Sequence, residues 1–247
     1  MAEDILYIVI PAYNEEANIQ NVIEEWYPIV ETYNGGGKSR LLIIDDGSKD
    51  NTYEIMKKCA EEKPLLQAVT KKNSGHGATV LYGYQTALKQ GAEYVFQTDS
   101  DGQTRPEEFH AFWRKREMYD MVIGYRKGRQ DGFSRVVVTK VLKAVILLCF
   151  HVNVKDANTP FRLMKADTLR KYISEIPENF NLSNVLISVI YAKNKVPAKY
   201  LPITFRPRQG GENSINIKSI SKIGWKAVGD FRKINKVLNR CRKENKQ

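Results

Sequence analysis

Cysteine is scarce. Cys59, Cys149 and Cys241 are the only three in 247 residues, widely separated and without a CxxC pair. That excludes a disulfide framework and a cysteine-built zinc site, and it points to a reducing compartment. Long apolar runs are also missing: none reaches the ~18 residues of a membrane-spanning helix. The first residues carry no basic n-region, and Ile5 to Ile10 is too short for the apolar part of a signal peptide, so no leader is expected. Internal repeats and low-complexity segments are absent. Acidic residues are in deficit, 28 against 39 basic ones, which leaves a net charge of +11. Such a balance favours an anionic partner: nucleic acid, anionic lipid or a phosphate-bearing substrate. What remains is ordinary for a globular protein, 42% hydrophobic and 27% charged, with a length that suits one large domain, or one domain plus an appendage.

The apolar pattern predicts an α/β chain. Ile5 to Ile10 is a continuous β-branched and aromatic run closed by Pro11, which reads as a buried parallel strand. A helix follows to about Tyr33, with Ile19, Val22, Ile23 and Trp26 at helical spacing. Strands are then expected at Leu41 to Ile44, Leu65 to Thr70, Tyr94 to Phe96 and Met121 to Gly124. Helices are expected between them at Thr52 to Glu62, Ala78 to Gln90 and Glu107 to Arg116. Alternation of this kind means parallel pairing through right-handed crossovers. Ligands of such sheets bind outside the carboxyl ends of the strands. Polar clusters fall there after the first, second and fourth strands: Tyr13 and Glu15, Asp45 and Asp46, Asp99 and Asp101.

The sharpest of these clusters is Glu93 to Gln103, EYVFQTDSDGQ. Two carboxylates at i and i+2 in a loop can turn toward one point, and Gln103 offers a third oxygen. Hard divalent ions want oxygen ligands, and Mg²⁺ is typically held by one or two carboxylates plus substrate phosphates. A polar turn with its acids in solvent accounts for the same residues. Asp45 to Ser48 reads equally as a plain turn with a helix cap. The glycines of Gly75-His76-Gly77 make a flexible loop, or let backbone N–H groups approach a phosphate; His76 reads as a contact to a diphosphate or, better, as a solvent-facing loop histidine.

Four motifs in order, VIPAYNEE, LLIIDDGSKDNT, NSGHGA and QTDSDGQ, resemble the inverting family 2 glycosyltransferases of GT-A fold over about Ile5 to Gly124. The Asp-x-Asp-x-Gln spacing is similar to that of the polyprenyl-phosphate sugar transferases, the dolichol-phosphate mannose synthase-like branch. The resemblance implies a three-layer, Rossmann-like fold with a mainly parallel sheet. It implies a UDP- or GDP-linked sugar donor held by Pro11, Tyr13, Glu15, Asp45, Asp46, Asp99 and Ser100. It also implies Mg²⁺ or Mn²⁺ on Asp99, Asp101 and Gln103. A divalent ion stabilises charge building on a leaving diphosphate as a Lewis acid, while the anomeric carbon passes through an oxocarbenium-like state.

The second half bears on the acceptor. Tyr125 to Arg135 holds Arg126, Lys127, Arg129 and Arg135 around two glycines; it reads as a solvated basic loop or, after a strand end, as a phosphate-binding one. The resemblance places Arg126, Arg129, Arg135 and Arg162 at the acceptor, and Arg208, with Arg206 as its substitute, in a loop over the donor diphosphate. Val136 to Phe150 reads as a buried core helix or as one lying on a membrane. Pro177 to Val189 matches the stretch where many family members carry a Glu-Asp pair, yet Glu178 is its only acid. A sugar hydroxyl needs a general base, whereas a phosphate monoester, with a second pKa near ~6, is already anionic at neutral pH. The missing base therefore favours a phosphate acceptor. Glu178 or Asp156 as the base keeps a hydroxyl acceptor open.

Residues 1–214 are expected to form the catalytic domain. Residues 215–247 form a basic appendage, in which Ile220, Ile223, Ala227, Phe231, Ile234 and Leu238 lie along one face of a helix. That helix docks on its own domain or on an anionic membrane surface. The expected enzyme is peripheral at the inner face of the cytoplasmic membrane, with a lipid-linked acceptor and, where an anchor is needed, a membrane-protein partner. A nucleic-acid-binding module fits the net charge, but the crevice is acidic and no aromatic-plus-basic RNA motif occurs, so nucleic acid is not expected as a partner. A catalytically silent membrane adaptor of the same fold is the third reading.

Overall fold

The computed structural model describes residues 4–126, 133–178 and 180–206, together with Gly229, Phe231 and Asn235; along 133–139 it describes the backbone alone. The N-terminal half alternates as expected: β1 (Leu6–Ala12), α1 (Ile19–Thr32), β2 (Arg40–Asp45), α2 (Thr52–Glu62), β3 (Leu66–Thr70), α3 (His76–Lys89) and β4 (Tyr94–Gln97). A 3₁₀ turn (Pro106–Glu108) leads into α4 (Phe109–Trp113). Then come β5 (Met121–Arg126), α5 (Phe133–Phe150), β6 (Arg162–Lys165), α6 (Ala166–Ile173), α7 (Ser183–Lys193) and β7 (Ala198–Ile203).

These strands form one seven-stranded sheet in the order β3-β2-β1-β4-β6-β5-β7. β1 pairs in parallel with β2 and with β4, so the strand order reverses between β1 and β4. A crevice opens at such a reversal because the loops leaving the two strands run to opposite sides. The sheet is mainly parallel, as expected; β6 is its exception, running antiparallel to both β4 and β5.

Period-two alternation explains the three layers. Leu6, Ile8, Ile10 and Ala12 of β1 face one core, with Ile23 and Trp26 of α1, Met56 of α2 and Phe112 of α4. Tyr7 and Val9 face the other, with residues of α3, α5 and α7. A sheet buried on both faces needs continuous apolar runs, which is what β1 and β2 carry.

The expected helix from Glu107 to Arg116 is shorter than its pattern. Beyond Trp113 the chain tightens into i→i−3 bonds, Lys115 N–H to Phe112 O and Arg116 N–H to Trp113 O. Arg116 is then held by Asp4 at 2.6 Å. Most of the expected appendage lies outside the described residues. Of its three described positions, Phe231 is helical and fully buried, its ring edge-on to Phe150 and tilted against Phe180 with centroids 5.4 and 5.8 Å away.

Candidate active site

The loops after β1 and β2 are stitched together. The Asn14 N–H donates to Ser48 Oγ at 2.9 Å, and the Lys49 N–H returns to Asn14 Oδ1 at 2.9 Å. The Glu15 N–H donates to Thr52 Oγ1 at 2.8 Å. Asn14 sits at φ +53°, a left-handed position that a short polar side chain tolerates. At Gly47, φ is +68° and an added Cβ would stand 2.9 Å from Asn73 N, so both its backbone and its space require glycine.

A crevice of about 360 Å³ lies over these loops, lined by Pro11, Ala12, Tyr13, Glu15, Asp46, Asn73, Gly75, His76, Thr79, Asp99, Ser100 and Asp101. Tyr13 remains 42% exposed there. Asp46 is a hub. Its Oδ1 accepts from Lys71 Nζ and from the Ser74 N–H at 2.9 Å, and its Oδ2 accepts from the Gly75 N–H at 2.9 Å. Burial pushes its carboxyl up, but hydrogen bonds from Lys71, Ser74 and Thr79 outweigh that and hold it below the ordinary value. Those backbone N–H groups therefore serve Asp46 and are not free for a phosphate. The glycines of this loop have another role. A Cβ at Gly77 would fall 2.2 Å from Phe180 O, so glycine there lets the chain at 180–181 pack against the start of α3.

Asp99 rests on a buried polar chain. Gln97, with no exposure, donates from Nε2 to Asp99 Oδ1 at 3.1 Å. The Tyr84 hydroxyl stands 3.4 Å from Gln97 Oε1 and 3.3 Å from Asn184 Oδ1, one hydrogen serving both. Burial pushes the Tyr84 phenol far above its ordinary value, which keeps it a donor at neutral pH. His76 Nε2 lies 3.8 Å from Asp99 Oδ1 on the crevice side. Asp101 Oδ1 accepts the Gln103 N–H at 3.1 Å, closing the turn through Gly102 at φ +67°.

The donor set suits a hard divalent ion. Asp99 and Asp101 both face the crevice, and His76 adds a nitrogen beside them. Among the described residues no three His, Cys, Asp or Glu side chains converge to hold an ion alone. An ion here would need oxygens from a ligand, the arrangement typical of Mg²⁺ shared with phosphates.

A second cavity of about 110 Å³ is walled by Leu142, Lys143 and Ile146 of α5, by Arg126, and by residues 154–159. It combines cations with apolar walls. Arg126 also stacks on the Phe205 ring at 3.9 Å. Thr159 Oγ1 is buried there with no hydrogen-bond partner.

The structure thus brings Pro11, Tyr13, Glu15, Asp46, Asp99, Ser100 and Asp101 into one crevice and sets Arg126 in the second cavity. Four of the expected site residues are held by other partners. Asp45 turns away from the crevice, accepting from the Ser48 N–H at 3.1 Å and Thr70 Oγ1 at 2.6 Å. Gln103 lies outside the lining and donates from its side chain to Arg206 O at 3.3 Å. Arg206 pairs with Glu25 at 2.6 Å, so it is committed to the fold. Arg162 has no exposure, and all five of its N–H groups are used on Thr159 O (twice), Ala157 O, Asn184 O and Ser188 Oγ. It cannot also bind an acceptor; it props the walls of the second cavity. Arg129 and Arg208 lie outside the described residues, as does the Arg135 side chain. Glu178 is exposed and outside both cavities, while Asp156 lines the second. Asn73, His76 and Thr79 also line the crevice; the first two belong to the NSGHGA motif, and Thr79 follows it. The same carboxyl-end rule applied to β3 finds them.

The family description "Glycosyl transferase family 2" matches residues 7–173. A UDP-N-acetylglucosamine–dolichyl-phosphate N-acetylglucosaminyltransferase of Methanococcus voltae is 26% identical over 223 residues, 82% of this chain and 86% of that protein. An undecaprenyl-phosphate 4-deoxy-4-formamido-L-arabinose transferase of Pectobacterium atrosepticum is 29% identical over 209 residues, 79% of this chain and 62% of that protein. Among solved structures, glucosyl-3-phosphoglycerate synthase of Mycobacterium tuberculosis in complex with Mn²⁺ and uridine-diphosphate-glucose superposes with TM-score 0.62. It is 17% identical, covering 89% of this chain and 76% of that one. S. aureus TarS 1-349 in complex with UDP gives 0.54 at 19% identity, over 80% and 57%. At those identities the structures establish the fold, which is GT-A-like. With the family match spanning two thirds of the sequence, including every strand end that builds the crevice, the chain belongs to glycosyl transferase family 2 and is a glycosyltransferase.

Proposed function

We propose that this enzyme transfers a sugar, with inversion, from a UDP- or GDP-linked donor to a polyprenyl phosphate at the inner face of the cytoplasmic membrane. In this reading Pro11, Tyr13, Glu15 and Asp46 hold the nucleoside, and Asp99, Ser100 and Asp101 meet the diphosphate end. Asp99 and Asp101 would hold Mg²⁺ or Mn²⁺, which when bound stabilises negative charge on the departing diphosphate. An acceptor phosphate oxygen attacks the anomeric carbon. The bond from that carbon to the β-phosphate oxygen breaks, and its electron pair leaves with the nucleoside diphosphate. One displacement inverts the centre.

The observation that carries the proposal is the separation of charge between two cavities. The crevice is acidic. The second cavity offers Arg126, Lys143 and Lys155 among Leu142, Ile146 and Val154, the chemistry of a phosphate on an apolar tail. Arg129, Arg135 and Arg208 are proposed as further phosphate contacts. The relatives acting on dolichyl and undecaprenyl phosphate support the same class of acceptor. Among the described residues no helix is long and apolar enough to cross a membrane. Membrane contact is proposed for surface elements, including the appendage 215–247.

Transfer to a sugar hydroxyl is the second reading, favoured by the presence of Asp156, a possible base, in the second cavity. Incubation with UDP- and GDP-sugars, Mn²⁺ and undecaprenyl phosphate should yield a lipid-linked sugar that mild acid releases, and Asp99→Asn should yield none. No product with undecaprenyl phosphate, together with a mild-acid-stable product when a lipid-linked saccharide replaces it, would instead establish the hydroxyl acceptor.

A further inference from the structure

Six large apolar side chains are exposed among the described residues, and three of them lie on α5: Val141 at 43%, Leu147 at 53% and Leu148 at 75%. At 100° per residue, Lys140, Val141, Ala144, Leu147 and Leu148 share one side of that helix. All five are exposed, while Ile146, Cys149 and Phe150 on the opposite side are buried in the core. Ile146, Cys149 and Phe150 already anchor the described part of α5 to the core, and the leucines on its other side take no part in that packing. We infer that this outward face of α5 is a bilayer-docking surface that seats on anionic lipid. The inference rests on the proposed lipid-linked acceptor and names the surface that meets the membrane.

Charge selects lipid over a protein partner. The eighteen residues of α5 include Arg135, Lys140 and Lys143 but no acid. Lys140 and Lys143 are both exposed beside the leucines. Long cationic side chains among apolar ones can lay their stems in the acyl boundary and their heads at lipid phosphates. The same helix walls the second cavity through Leu142, Lys143 and Ile146, next to Arg126 and Lys155. A bilayer seated on α5 would therefore lie beside the cationic cavity proposed for the acceptor phosphate.

Flotation of the full chain with phosphatidylcholine vesicles, with and without phosphatidylglycerol, tests this. The chain should bind the anionic vesicles, and added salt should weaken binding. Leu147→Asp/Leu148→Asp should lower the bound fraction about tenfold or more. Its thermal shift with UDP-sugar and Mn²⁺ should stay at the wild-type value, which also checks the fold; Leu147→Ser/Leu148→Ser serves if the charged pair disturbs α5. Wild-type-like vesicle binding by the double variant overturns the inference, as does failure of the wild type to bind. A wild-type dimer that the variant dissolves, without vesicle binding, assigns the face to a second copy and overturns it too. Vesicle binding without lipid-linked product from any donor would instead count against the proposed function and leave the surface standing.

Discussion

Asp99 is held from below by a side chain that never meets solvent. Gln97 fixes the carboxylate through a single hydrogen bond, and Tyr84 fixes Gln97. In the proposed reading Asp99 holds the ion; outer groups of this kind then orient the ligating atoms, and their loss typically costs about 10–100-fold in metal affinity. Gln97→Leu should therefore raise the Mn²⁺ concentration needed for half-maximal activity by about that factor, with little change in kcat at saturating ion. A metal titration of activity checks this; a merely structural role would lower kcat and stability and leave the titration in place. Asp46 predicts a pH effect. Its carboxyl is more acidic in the folded chain than its ordinary value. The unfolded chain therefore takes up the proton first as pH falls, so Asp46 stabilises the fold above the unfolded value, near ~4, and that contribution is lost as pH falls through the folded one. Urea midpoints of the wild type and Asp46→Asn should differ by a constant margin above about pH 5, which shrinks on further acidification.

Elements differ in how much of them was visible beforehand. β1, β2, α1 and α2 were readable to within a residue or two, because their burial is recorded in local spacing. The direction of β6 was not: four residues, Arg162–Lys165, pair with β4 and β5 through contacts that local pattern does not encode. The start of α3 was misplaced for a related reason. Gly75 and Gly77 read as loop formers, whereas Gly77 lies inside the helix and accommodates residues 180–181. Gly77→Ala should force α3 and that segment apart, at a cost of about 1–3 kcal/mol in stability. Chemical denaturation measures it, and donor affinity should fall with it because His76 and Asp99 share the displaced wall.

Across the whole molecule, one polar network joins the two cavities. From Asp99 it runs through Gln97, Tyr84 and Asn184 to Arg162, whose guanidinium binds the carbonyls of Ala157 and Thr159. Arg162→Met would leave buried acceptors unpaired, and should cost about 3 kcal/mol or more by chemical denaturation. Donor binding is also a property of the whole. Because no described cluster of three ligands can hold an ion alone, Mn²⁺ by itself should barely shift the melting midpoint. Mn²⁺ with the matching nucleotide-sugar at about 100 times its Kd should add about 2.7 kcal/mol, several degrees for a chain of this size. A thermal-shift matrix of donors with and without the ion reads both effects.

From the sequence alone came the alternating α/β order, the placing of Tyr13, Glu15, Asp46, Asp99 and Asp101 at strand ends, and the family resemblance. Each depends on neighbours a few positions apart, where strand period, turn chemistry and motif spacing act. Only the tertiary structure decided which polar residues were already committed. Arg162 answers to Asn184, Asp45 to Thr70, Arg206 to Glu25 and Gln103 to Arg206. It alone also showed which side of α5 is turned outward. Those outcomes depend on partners distant in the chain, and packing against such partners leaves no mark in local spacing.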